Sequence, residues 1–221
     1  MMFEHRAWGP VQIAWASAHP SATDLDAGMQ ELGDAALRRY RSLDADAGRR
    51  FAVGRLLLAE LIPALVTDAA TIESLCEHCG SSDHGRPRVA GTPYAVSVSY
   101  AGEMVIAAAV PLEAASALGI DIEPGSTDDD APLTELTGLF SPHTPPSLRA
   151  WTEIEAVVKA DGRGMRVSPA DVSFGRPSAV LLPDGRAGGV PGNPGGFEVA
   201  SAPGPAGHIV SVALAPSSAP G

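Results

Sequence analysis

Lysine is almost missing from this 221-residue chain. Fifteen residues are basic, and only Lys159 among them is a lysine. Acidic residues outnumber basic ones, 26 to 15, for a formal net charge of −11; such a balance argues against a general nucleic-acid binder. No apolar run approaches the ~20 residues that a membrane-spanning helix needs. The opening residues, Met1-Met2-Phe3-Glu4-His5-Arg6, lack the basic-then-apolar pattern of a secretory leader. A soluble, cytoplasmic protein is therefore expected. Cysteine is scarce too: Cys76 and Cys79 are the two present, with His78 between them and His84 after. That spacing is part of a zinc knuckle, but Val89 stands where a fourth ligand is expected. A cysteine-containing loop in a reducing compartment is the plainer reading. The bulk of the chain is apolar enough to fold, at 45% hydrophobic residues.

Periodicity supplies the elements. A strand is predicted over 11–15 and helices over 36–40 and 46–66. In the second helix Phe51, Val53, Leu57, Leu61 and Leu65 recur at helical spacing, Asp44 or Asp46 caps the start, and Pro63 ends or kinks it. Residues 94–100 alternate as a strand does, 101–103 form a turn, and 104–110 form a buried strand. Another strand covers 117–122, followed by a flexible acidic loop over 125–130. A helix spans 149–161 and stops at Gly162. Further strands are expected over 172–174, 179–182, 197–200 and 208–213, with a disordered tail over 216–221.

Two acidic segments carry the chemistry. In Gly119-Ile120-Asp121-Ile122-Glu123 the two carboxylates share one face of a strand, because positions i and i+2 do, and the isoleucines take the other. In the segment from Trp151 to Lys159, Glu155 and Lys159 lie one turn apart, with Trp151 one turn earlier. Each segment alone also fits a bland reading: a solvated strand end, or an ordinary helix pair contributing ~0.3–0.5 kcal/mol. Ala156, Val157 and Val158 make the rest of that helix apolar, so its charged face is expected to line a cleft. Asp121, Glu123 and Glu155 are hard oxygen ligands of the kind that suits Mg²⁺ on a diphosphate. Arg50, Arg55, Arg86, Arg88, Lys159 and Ser99 are candidate phosphate partners.

The ordered set of segments resembles the Sfp-type 4′-phosphopantetheinyl transferases. That family carries Gly-x-Asp-x-Glu followed by Trp-x-x-Lys-Glu-Ala-x-x-Lys, matched here by Gly119 to Glu123 and Trp151 to Lys159. Upstream, His84-Gly85-Arg86-Pro87 stands for a Gly-Lys-Pro segment and Ser99-Tyr100 for a Ser-His pair. Arg49-Arg50-Phe51 through Arg55 matches an Arg-Arg-Phe helix, and the Cys-x-x-Cys-Gly resembles actinobacterial members. Five segments keep their order over residues 38–175. Three departures stand out: Tyr100 for histidine, Ile154 for the first lysine of the helix motif, and Phe140-Ser141-Pro142-His143-Thr144 for the usual Phe-Ser-x-x-Glu.

The resemblance implies an α+β fold of two similar pseudo-symmetric lobes, over residues 1–114 and 115–221, with the site between them and a boundary near residues 111–117. It implies Mg²⁺-dependent transfer of the phosphopantetheine of coenzyme A to a serine of an apo acyl or peptidyl carrier protein. Asp121, Glu123 and Glu155 are then the metal ligands. Glu155 accepts the serine proton and Lys159 stabilises the diphosphate. Arg50, Arg55, Arg86, Ser99, Tyr100 and Lys159 bind coenzyme A. A monomer is expected, with no nucleic-acid or membrane partner. The alternatives are a degenerate member that binds coenzyme A or carrier protein without turnover, and a non-enzymatic acidic scaffold. Because carrier proteins are themselves acidic, docking needs a local basic or apolar patch; the arginines from Arg38 to Arg50 are one candidate, and a solvated helix face is the other reading of them.

Overall fold

The computed structural model describes residues 2–66, 70–75, 79–80, 85–125 and 128–217. It is a mixed α+β fold in which three antiparallel sheets are combined with five α-helices among those residues. The strands are β1 (Glu4–Trp8), β2 (Val11–Ser17), β3 (Thr71–Leu75), β4 (Arg86–Ala90), β5 (Tyr94–Ala101), β6 (Met104–Pro111), β7 (Ala115–Pro124), β8 (Ser173–Pro177), β9 (Arg186–Val190), β10 (Asn193–Ser201) and β11 (His208–Pro216). The helices are α1 (Ala22–Glu31), α2 (Asp34–Ser42), α3 (Ala45–Leu61), α4 (Thr137–Phe140) and α5 (Leu148–Asp161). One sheet runs β1-β2-β6-β5, the second β7-β11-β10-β9-β8, and β3 pairs with β4 alone. No helix among the described residues is long and apolar enough to cross a membrane.

Strand alternation sorts the side chains into layers. On β6, Val105, Ala107 and Ala109 join the core beneath α1 and α3, whereas Ile106, Ala108 and Val110 face the second sheet. On β7, Leu118, Ile120 and Ile122 enter that same inter-sheet core. The outer face of the second sheet is covered by α5 through Ala156, Val157 and Ala160, packed with Phe197, Val199 and Ala213. The layers are thus helices, sheet, sheet and helix. The two edge strands β5 and β7 meet where the Ser97 hydroxyl accepts from the Ile120 N–H at 3.1 Å.

Caps fix the helix ends. Asp44 accepts from Asp46 and Ala47 at the start of α3, and Ser147 accepts from Ala150 at the start of α5. Gly162 ends α5 with φ +81°, a left-handed conformation that glycine adopts without strain. Pro63 follows α3 and opens a 3₁₀ turn over Pro63–Val66, so the helix stops at Leu61.

Some expectations shift. The strand predicted over 179–182 is a loop instead. Its backbone N–H groups do not enter a ladder because the Glu198 carboxylate takes them: Val180, Leu181 and Leu182 donate at 3.2, 2.9 and 2.6 Å, and the Ser178 hydroxyl at 2.7 Å. Strands β1, β3, β4 and β9 and helices α1 and α4 lie outside the segments that periodicity picks out. Pro216 closes β11 rather than opening a tail, and residues 218–221 lie outside the described residues. So do Cys76, His78 and His84 of the zinc reading, and Ser126 and Thr127 of the acidic loop.

Burial alone would raise the Glu198 carboxyl, but the bonds from Ser178, Leu182, Leu181 and Val180 outweigh it and hold it below the usual value. Its ionised form therefore contributes stability above the unfolded value of about 4.5, lost as pH falls through the folded one. Glu198→Gln is expected to cost about 2 kcal/mol at pH 7. Thermal unfolding as a function of pH should show the gap to the parent closing under acid conditions; a gap that does not change with pH would contradict the assignment.

Candidate active site

The carboxylates of the two acidic segments converge where α5 crosses β7. Gly119 permits the crossing: a Cβ there would lie 2.0 Å from the Ala156 carbonyl oxygen and 2.6 Å from the Ala160 nitrogen. The helix backbone therefore rests directly on the strand, and the residues flanking that point are brought together. Lys159 reaches Asp121, with Nζ 2.5 Å from Oδ1, and donates to the Ser99 hydroxyl at 2.7 Å. Ser99 in turn donates to Asp121 Oδ1 at 2.9 Å. Asp121 and Ser99 are each only 4% exposed, and Asp121 Oδ2 is buried with no hydrogen-bond partner.

Glu123 and Glu155 complete the group and are both held above the usual carboxylate range. For Glu123 the first cause is burial, then the Asp121 charge, with Glu155 adding a smaller push; Lys159 and the Trp151 side chain, which hydrogen-bonds Glu123, oppose them. For Glu155 burial again leads; Lys159 pulls it down and Asp121 pushes it up. One ammonium thus sits among three carboxylates. Among the described residues no three histidine, cysteine or carboxylate side chains are close enough to cage a metal ion. The donor set nevertheless fits a hard divalent cation: a buried unpartnered carboxylate oxygen beside two carboxyls that burial and mutual charge disfavour as anions.

The remaining candidates fall in two places. Arg86 donates to the Ala160 carbonyl at 3.3 Å, at the last turn of α5, so it lies beside the Lys159 end of the site. Tyr100 does not join the carboxylates. It follows Ser99 in β5, so it points to the opposite face, where its hydroxyl end packs on α3 at Gly54. Burial pushes its phenol above the usual value, with Arg55 and Arg50 pulling the other way, although the residue as a whole is 44% exposed. Arg55 is buried beside it, donates to the Ser74 hydroxyl at 2.9 Å and stacks on Phe51; burial pulls its guanidinium below the usual value. Arg50, Arg55 and Tyr100 thus form a second, basic group on the α3 side of β5.

Ile154 is turned away from both groups. It packs with Phe140 and Val158 in a small apolar cluster against which Trp151 also rests, on the flank of the 151–155–159 stripe of α5. Ile154 therefore belongs to this apolar cluster and not to the carboxylate group. Sequence reasoning passed over Ser97, the hydrogen bond from Trp151 to Glu123, and the buried hydroxyls of Thr152 and Ser211 behind the site; the available signal was a polar residue inside an otherwise apolar stretch. A surface groove of about 390 Å³ between α1, α2 and α3, lined by Leu25, Tyr40 and Arg41 among others, is separate from these groups. No family model matches the chain, and no curated protein matches it.

Proposed function

We propose that the chain is a Mg²⁺-dependent 4′-phosphopantetheinyl transferase acting on an apo acyl or peptidyl carrier protein. The observation that carries the reading is the gathering of Asp121, Glu123, Glu155, Lys159 and Ser99 at one crossing, with Arg86 at its rim. Two similar lobes belong to the same proposal, supported by a helix on the outer face of each large sheet, α3 on one and α5 on the other.

In this reading Asp121, Glu123 and Glu155 hold the divalent ion, which when bound neutralises charge on the diphosphate of coenzyme A. Glu155 accepts the proton of the carrier serine; a carboxyl raised towards neutrality is a better base than an ordinary one. The serine oxygen bonds to the β-phosphorus, the bond to the bridging oxygen breaks, and adenosine 3′,5′-bisphosphate leaves. Lys159 stabilises the charge on the departing oxygen. Arg86 and Ser99 hold the diphosphate end, and Arg50, Arg55 and Tyr100 the nucleotide end.

A second reading, binding of coenzyme A or carrier without turnover, is favoured by Tyr100, a neutral phenol beside two arginines. Incubation with coenzyme A, Mg²⁺ and a panel of polyketide, peptide and fatty-acid apo carriers separates the two: transfer adds mass at the carrier serine, whereas mere binding leaves the carriers unchanged. Tyr100→His is expected to tighten coenzyme A binding about fivefold, one partly exposed charge-assisted bond of about 1 kcal/mol. Titration calorimetry checks this, and an unchanged affinity would place the nucleotide phosphate elsewhere. Two of the arginines of α2 and α3 are already paired, Arg41 with Asp26 at 3.2 Å and Arg49 with Asp46.

A further inference from the structure

We propose that Thr152 and Ser211 are positioning residues that set the register of α5 on the sheet, and through it the meeting of Lys159 with Asp121. Both side chains are completely buried. Their hydroxyl oxygens lie 2.8 Å apart, and the Thr152 hydroxyl is also 2.9 Å from the Arg149 carbonyl oxygen. Threonine has one hydroxyl proton, and the carbonyl can only accept, so Thr152 donates to Arg149 and Ser211 donates to Thr152. The orientation of the pair is thereby fixed.

The pair's place in the fold gives it this role. Ser211 of β11 is the direct ladder partner of Asp121 of β7. Thr152 lies three residues before Glu155 and seven before Lys159, two turns along the same helix. The core of the α5–sheet contact is otherwise apolar, Ala156, Val157 and Ala160 against Val199 and Ala213 and the bare backbone of Gly119, while the further polar contacts, Glu153 with Arg186 and Asp161 with Asn193, involve partly exposed strand side chains at its edge. Apolar contacts between small side chains are non-directional and tolerate sliding along the helix axis. A hydroxyl pair in a dry interface does not, because any other register leaves two buried hydroxyls without partners. The buried bond thus favours the register in which Lys159 meets Asp121.

Lys159 is the only lysine of the chain, so its exposure can be read at one site. Acylation by a small amine-reactive reagent at fixed pH, followed by peptide mass spectrometry, reports how firmly Asp121 and Ser99 hold it. For Thr152→Val we expect a melting temperature lower by roughly 3–6 °C. Lys159 acylation should be faster by about tenfold, the worth of one bond to a charged group. Thr152→Ser keeps the hydroxyl and should restore both. The double variant Thr152→Val with Ser211→Ala removes both polar groups; it should recover most of the stability yet keep the fast acylation, because no buried hydroxyl pair then selects the register and the partly exposed Arg186 and Asn193 can follow a small shift. A merely structural pair predicts that acylation returns to the parental rate together with stability; that result, or parental acylation in Thr152→Val, would overturn the proposal. The kinetic counterpart rests on the transfer reading: kcat should fall in Thr152→Val and in the double variant, with KM for coenzyme A near the parental value. Absence of transfer by the parent would overturn that reading, while the acylation pattern would still decide the register.

Discussion

Glu155→Gln is expected to abolish phosphopantetheine transfer, by about three orders of magnitude, while making the protein more stable at neutral pH. Both effects have one cause. The glutamine is nearly isosteric, but it can neither accept the serine proton nor offer an anionic ligand. In the parent, burial and the Asp121 charge hold the Glu155 carboxyl above its usual value, despite the pull of Lys159. A carboxyl whose folded value is raised destabilises the fold once it ionises. That penalty is absent below the unfolded value of about 4.5, grows as pH rises towards the folded value, and is complete above it. The glutamine variant therefore melts above the parent at pH 7, and the two converge near pH 4. Activity lost together with stability would indicate a folding defect, and wild-type turnover would remove Glu155 from the mechanism.

Gly119→Ala should be the most damaging glycine-to-alanine substitution among the described residues. A methyl group at this position meets backbone, not the end of a flexible side chain: the Ala156 oxygen at 2.0 Å and the Ala160 nitrogen at 2.6 Å. Helix α5 must move outward. Overpacking of this kind costs about 3 kcal/mol, or roughly 6–12 °C in melting temperature for a domain of this size. The displacement also carries Lys159 away from Asp121, so transfer is lost even in the fraction that folds. Gly138→Ala is the control, since a Cβ there meets nothing within 4 Å. Equal melting temperatures for the two variants would contradict the crossing described above.

The site was legible where chemistry and periodicity coincide. Asp121 and Glu123 share the α5 side of β7 because strand side chains alternate, and Ile120 and Ile122 fill the inter-sheet core for the same reason. Trp151, Glu155 and Lys159 form one stripe because helix positions four apart do. Tyr100 was different. Its neighbour Ser99 is in the carboxylate group, but one residue along a strand reverses the face, so Tyr100 belongs with Arg55 and α3. Less could be read where a partner distant in sequence decides the local structure. Residues 179–182 are apolar enough for a strand, yet Glu198 claims their N–H groups. β9, Arg-Ala-Gly-Gly-Val, has a composition that disfavours strands and is held by pairing with β8 and β10. Glu153 gave no signal of its own; it pairs with Arg186, whose guanidinium also stacks on Phe174, 3.9 Å from its centroid.

The central claim, transfer from coenzyme A at the Asp121–Glu155–Lys159 crossing, is tested most directly by the intact mass of an apo carrier protein incubated with the chain, coenzyme A and Mg²⁺. A gain of one phosphopantetheine per carrier is predicted, matched mole for mole by adenosine 3′,5′-bisphosphate and absent with Glu155→Gln. Carriers of unchanged mass across the panel, with the chain folded, would contradict it.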